Sequence, residues 1–137
     1  MLQKGGKELI EVYTDGAASG DPGLSGAGIF IKDGKKTYEY KFPLGSMSNH
    51  QAEFQAVIKG LEVCRDNFRD EILSFRSDSK LVVDVIEKDF TKNQTFLPYL
   101  QEIRNQVEAF PHFFIKWIPE KQNKHADKLA RQAIHLN

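Results

Sequence analysis

The feature that most constrains this chain is an aspartate set between two apolar segments. Residues 8–14, Glu8-Leu9-Ile10-Glu11-Val12-Tyr13-Thr14, have the β-branched and aromatic content of a strand. Asp15 follows at once, and the glycines and proline of residues 16–23 predict a turn there. Residues 25–32 form a second apolar segment that contains Gly26-Ala27-Gly28-Ile29-Phe30-Ile31. Asp15 therefore stands on, or at the end of, a strand that should be buried. A buried carboxylate is costly unless it is paired or holds a metal. Taken alone, Asp15 is explained equally well as a turn cap, the common job of an Asp beside Gly.

The rest of the chain supplies candidate partners. Asp33-Gly34 is a two-residue hairpin signal, and residues 35–43 read as a third strand with Tyr38, Tyr40 and Phe42 on one face. Residues 45–48 read as a loop, and Ser48 or Asn49 caps a helix that runs to about Arg65. Its apolar stripe is Ala52, Ala56, Val57, Leu61 and Cys64, and Glu53 in its first turn is in line with that stripe. Residues 71–77 form a fourth strand, followed by Asp78 and a helix through Leu81-Val82-Val83-Asp84-Val85-Ile86. Residues 88–95 are polar and irregular, and residues 96–110 carry Leu97, Leu100, Ile103, Val107 and Phe110 at helical spacing. A fifth strand over 112–118 stops at Pro119, and after a charged loop a last helix runs from Asn123 or Lys124 to His135, with Asp127 in its first turn. A hairpin start followed by strand–helix alternation predicts a mixed sheet covered by helices.

Four acids thus occupy comparable places: Asp15, Glu53, Asp78 and Asp127. Each has an ordinary explanation, as turn residue, stripe-edge Glu, helix N-cap or acid at a helix start. Four ionised carboxylates in one cleft repel one another unless a hard divalent cation is among them. Mg²⁺ suits such a set because it takes oxygen ligands and is completed by substrate phosphates, whereas a set without histidine or thiolate is a poor zinc site. Two such ions support in-line displacement at phosphorus, which suggests phosphodiester hydrolysis.

The remaining composition excludes more than it selects. The length, 137 residues, is that of one ordinary domain, with residues 1–7 expected as a loose end. A formal net charge of zero argues against a surface that grips nucleic acid all over, but permits a local basic face. The single cysteine, Cys64, excludes an intramolecular disulfide and gives no metal-site spacing. No apolar run approaches spanning length and no signal-peptide pattern opens the chain, so a cytoplasmic monomer with no membrane partner is expected.

Thr14-Asp15-Gly16-Ala17, Asp21-Pro22-Gly23 and Gly26-Ala27-Gly28 resemble the opening of type 1 ribonuclease H. Ser48-Asn49-His50-Gln51-Ala52-Glu53-Phe54 resembles its Asn-x-x-Ala-Glu helix start, and Ser77-Asp78-Ser79 its third acid motif. Asn123-Lys124-His125-Ala126-Asp127-Lys128-Leu129-Ala130 resembles its closing Asn-x-x-Ala-Asp-x-Leu-Ala helix. The resemblance covers the chain after residue 7 and implies a five-stranded mixed sheet of order 3-2-1-4-5 with helices on both faces. It implies that Asp15, Glu53, Asp78 and Asp127 are catalytic and bind two Mg²⁺ ions, with Mn²⁺ as a substitute. The implied reaction is cleavage of the RNA strand of RNA–DNA hybrids to 5′-phosphate and 3′-hydroxyl ends. Gly16, Asp21, Asn49, His50, Ser79, Lys80 and Asn123 would then lie on the hybrid-contacting surface.

The chain also departs from the family pattern. Asp21 stands where an asparagine is frequent, and His50 and Lys80 where many members have Asn and Gln. The loop before the last acid lacks a histidine; His125 is too close to Asp127 to replace it and is expected to be solvated. Glu120 is a candidate replacement, and residues 88–95 are too short for a basic protrusion. Lys80, Lys88, Lys92, Lys121 and Lys124 could form a phosphate track. Two other readings are a nuclease of this fold with another substrate and a non-catalytic binding module, against which the retained carboxylates argue. A response-regulator-like phosphoacceptor fits poorly, because that fold is all-parallel.

Overall fold

Alternating burial in the first half of the first strand and in the third, continuous burial of the second between them, and one-sided burial of the helices organise the chain around one sheet. The structure, a computed structural model, describes residues 8–137, so the loose end expected at 1–7 lies outside the described residues. The strands are β1 (Leu9–Ala18), β2 (Gly23–Asp33), β3 (Lys36–Met47), β4 (Ile72–Ser77) and β5 (His112–Trp117). The helices are α1 (Asn49–Asn67), α2 (Lys80–Lys88), α3 (Leu97–Val107) and α4 (Lys124–Ile134), with a 3-10 turn at Glu120–Gln122 before α4. The sheet has the expected order β3-β2-β1-β4-β5. β1 pairs antiparallel with β2, and β2 with β3, while β4 is parallel to both β1 and β5.

The glycine-rich stretch differs from the expected turn over 16–23. β1 continues through Gly16 to Ala18, with Gly16 opposite Ala27, and only the residues between Ala18 and Gly23 turn. The glycines of this region serve close packing. A Cβ on Gly16 would stand 2.1 Å from the Ala52 carbonyl oxygen of α1, and one on Gly28 would stand 2.2 Å from the Ala126 carbonyl oxygen of α4. One helix on each face therefore approaches the sheet backbone where β1 and β2 lack side chains. Likewise β3 runs on to Met47, through the residues expected as a loop.

Ser48 caps α1 by accepting from the Gln51 N–H, and Gln51 Oε1 accepts from the Ser48 N–H. α1 is buried on more than the expected stripe, because Phe54, Ile58 and Val63 are covered as well. The reason is that α3 packs on its far side: the Phe54 ring stacks on Tyr99 at 5.7 Å and lies 5.1 Å from Phe96. The core between sheet and helices contains Ile10, Val12, Ile31, Leu61, Phe75 and Val82 among others. α4 alone packs on the opposite face, through Ala126, Leu129, Ala130 and Ala133, against β1, β2 and β3. None of the described helices is long and apolar enough to cross a membrane.

Candidate active site

β1 and β4 run side by side only as far as Tyr13 and Arg76, then part. Asp15 and Asp78 both stand two residues beyond that pair, so the split brings the two acids face to face. Asn123 fills the split from the third side: its Nδ2 donates to the Thr14 carbonyl at 2.9 Å, and its amide stands near enough to Asp78 to favour that residue's charged form. The opening of the sheet, rather than a turn, thus creates the site.

The structure brings all four expected acids to one cleft of about 560 Å³, lined also by Gly16, Asn49, Glu120 and Arg131. Carboxylate oxygens of Asp15, Glu53 and Asp78 all lie within 4.8 Å of one another. Asp127 is within hydrogen-bonding reach of Asp15, and its two oxygens each accept from Arg131 Nε at 3.1 Å. The ordinary explanations of Asp15 and Asp78 do not hold in the fold, whereas Asp127 does stand in the first turn of α4. Asp15 is inside a strand opposite Gly28, not in a turn, and is 7 % exposed. Ser79, not Asp78, caps α2, with its Oγ accepting from the Val82 N–H. Glu53 lies beyond the first turn of α1, correcting the expected first-turn position, because the helix begins at Asn49.

Burial and mutual repulsion make this cluster hard to ionise without a cation. Burial, then Asp78, Asp127 and Glu53, push Asp15 up to about 9. Burial also raises Glu53, against hydrogen bonds from His50 and Ser79 that favour its charged form. Asp78 is raised by burial, with Glu120 and Asp127 adding to the rise and Asn123 opposing it. The donors are all carboxylate oxygens, with no imidazole or thiolate among the three that converge, which fits a hard divalent cation.

The expected contact residues divide into rim and interior. Gly16 and Asn49 line the cleft. His50 is on the exposed side of α1 with its Nδ1 3.0 Å from Glu53 Oε1. Asp21 Oδ1 accepts from the Asn49 N–H at 3.1 Å, so this acid holds the β1–β2 turn onto the start of α1. Lys80 Nζ is 4.9 Å from the centre of the Trp117 ring, and Trp117 Nε1 donates to the Asp78 carbonyl at 3.1 Å. Ser79 and Asn123 do not reach the surface: they are 6 % and 1 % exposed, and their side chains hold the helix start and the β1–β4 split. His125 is not simply solvated as expected; it stacks on Phe30 at 3.8 Å and bonds to Glu39. Of the track lysines, Lys121 and Lys124 cluster beside the start of α4, Lys80 is on Trp117, and Lys88 ends α2.

Two residues of the site were missed from sequence. Arg131 is four residues after Asp127 on one helix, a spacing that marks a paired acid and base. Trp117 carried no signal beyond membership of the fifth strand, and it is exposed on the edge strand β5 beside Asp78.

The chain has clear relatives in sequence and in fold. Residues 13–133 match the family model described as "Reverse transcriptase-like". The "Putative hydrolase EbsB" of Enterococcus faecalis is 41% identical over 92% of this chain and 94% of that protein. A protein named Ribonuclease H from Ruthia magnifica is 30% identical over 91% of this chain and 94% of its own length. The solved structure of LC11-RNase H1 in complex with RNA/DNA hybrid superposes with a TM-score of 0.86 at 30% identity, covering 93% of this chain and 97% of that one. In fold and sequence, then, the chain belongs to the type 1 ribonuclease H family of enzymes.

Proposed function

We propose that this chain hydrolyses the RNA strand of RNA–DNA hybrids, as one monomeric domain, leaving 5′-phosphate and 3′-hydroxyl ends. The observation that carries the reading is the convergence of Asp15, Glu53 and Asp78 oxygens within 4.8 Å, with Asp127 beside them. These four residues would hold two Mg²⁺ ions, or Mn²⁺ in their place. Bound there, such ions supply Lewis-acid stabilisation of charge on the attacking and leaving oxygens of an in-line displacement.

The chain's own groups set up that chemistry. The Asn123 amide favours the charged form of Asp78, and Trp117 fixes the backbone of the same residue. Arg131 holds Asp127 at the mouth of the cleft, and His50 holds Glu53 from the solvent side. The Gly16 and Asn49 backbone, with His50 and Lys80 at the rim, would meet the hybrid's minor groove, where 2′-hydroxyls distinguish RNA from DNA. Glu120, in the cleft wall and close enough to affect Asp78, is the group available where a loop histidine is absent.

The test is cleavage of a labelled hybrid with Mg²⁺ or Mn²⁺, beside Asp15→Asn and Asp78→Asn. Cleavage by the wild type that both substitutions abolish supports the reading; a folded wild type inert with either ion sinks it. A second reading, the same chemistry on another duplex, is favoured by the Lys80–Trp117 pair and the His50–Glu53 contact at the rim. A panel of hybrid, double-stranded RNA and double-stranded DNA separates the two.

A further inference from the structure

We propose that a second depression, at the start of α4, is a subsite for single-stranded nucleic acid that seats unpaired nucleotides by stacking and by phosphate contacts. It encloses about 350 Å³, and Asn123 is part of its wall. Its wall contains the rings of Tyr13, Phe30 and His125: His125 is exposed and offers its outer face, Tyr13 is half-buried, and Phe30 is buried beneath them. The Tyr13 and Phe30 rings are 6.0 Å apart and tilted, and Phe30 and His125 are stacked at 3.8 Å. Lys32, Lys121 and Lys124 surround these rings, and all three side chains are exposed. Lys32 Nζ lies 5.4 Å and the Arg76 guanidinium 5.3 Å from the Tyr13 ring centre.

Charge and hydrogen bonding both leave this depression lacking an anion. No carboxylate lines it among the described residues. Of the acids around it, Glu11 is engaged with Arg76 and the Tyr13 hydroxyl and Glu39 with His125, while Glu120 and Asp127 stand beside Lys121 and Lys124 on the side of the carboxylate cleft. The three lysines form no ion pair among the described residues. α4 is 11 residues long and has no side-chain cap, because Asn123 turns its amide inward to Thr14. The first-turn N–H groups, which have no partner within a helix, lie in the wall of the depression.

Cations interleaved with ring faces are how sequence-tolerant single-strand sites work, since bases stack on the rings while lysines track the phosphates. A duplex offers only its phosphates, because its bases are already stacked. Asn123 also stands near Asp78, so a strand seated here leads into the carboxylate cleft. The binding site stands independently of the nuclease reading; only its bearing on hybrid cleavage rests on that reading.

The test is fluorescence anisotropy of a short labelled oligodeoxythymidylate with the full chain in chelator, so that the cleft holds no divalent ion. Wild type should bind. The Lys32→Ala, Lys124→Ala double variant should bind about tenfold more weakly, with a salt dependence shallower by about 0.7 in slope for each lysine lost. His125→Ala should weaken binding with the slope unchanged, and Arg69→Ala, on the α1–β4 connection, should change neither. No binding in chelator, binding equal in the double variant and wild type, or thymidine monophosphate binding as tightly as the oligomer would each overturn the proposal. Strand binding without hybrid cleavage would sink the nuclease reading alone, and cleavage without strand binding would sink this inference alone.

Discussion

The carboxylate cleft and the depression walled by Asn123 have opposite character. The larger, of about 560 Å³, gathers Asp15, Glu53, Asp78, Glu120 and Asp127 with Arg131 as its one basic residue. The smaller, of about 350 Å³, is walled by three lysines and three rings with no acid among the described residues that line it. The chain as a whole is neutral, 19 basic residues against 19 acidic. A net charge of zero therefore reflects segregation, not a bland surface. One depression holds negative charge that burial makes costly to ionise, and a cation relieves it; the other holds positive charge that a phosphate relieves. Both depend on the same two devices, the parting of β1 from β4 and the seating of α4 on glycines.

The comparison is broken most severely through the acids. Asp15→Asn or Asp78→Asn should lower hybrid cleavage by about a thousandfold or more, measured as initial rate in Mg²⁺, while leaving single-strand binding in chelator intact. Loss of both properties would show that the depressions are one site. Gly28→Val attacks the shared scaffold. Its side chain has no room against the Ala126 carbonyl, so urea unfolding should show a loss of about 3 kcal/mol and both activities should fall together.

Asn123→Ala removes a wall residue of the smaller depression that also acts on Asp78 of the larger. Cleavage should fall by about 10–100-fold through misplacement of Asp78. A rate equal to wild type would separate the two depressions functionally.

Two smaller effects sharpen the electrostatic contrast. Asp15 is raised from 3.8 to about 9, so between those values the folded chain binds a proton that the unfolded chain releases. The stability this provides is complete below the lower value and is lost as pH rises through the upper one, in cation-free protein. Asp15→Asn should flatten that slope and raise the urea midpoint at about pH 8, by on the order of 1 kcal/mol. An unchanged slope would mean that Asp15 is ionised without a cation. Arg131→Ala should be the mildest, costing less than about 0.5 kcal/mol in thermal unfolding, because its pair with Asp127 is a largely exposed i,i+4 contact.

Much of this was legible in the chain. The apolar and β-branched content of the first two strands, the alternation of Tyr38, Tyr40 and Phe42, the Asp33-Gly34 signal and the helical spacing of Leu97, Leu100 and Ile103 placed every major element close to its observed position. In the hairpin itself the loop residues are Gly34 and Lys35, with Gly34 at φ +62°. The stretch after Asp15 was misjudged because glycine is shared by two causes, turning and close packing, which only a neighbouring helix distinguishes. The breadth of burial on α1 was underestimated for a similar reason, since the stripe predicts one partner and α3 is a second.

The sequence by itself determined the element order, the four acids and the family they resemble, because local periodicity and motif spacing are properties of consecutive residues. Only the tertiary structure decided what those residues do to one another. Asp15 and Asp78 are 63 positions apart and become neighbours where β1 and β4 part, and Asn123 enters that opening from the far end of the chain. Lys32, Lys121, Lys124 and the rings of Tyr13, Phe30 and His125 show no pattern along the chain. They form a depression because β1, β2 and the start of α4 converge there, and long-range packing of that kind leaves no mark on local spacing.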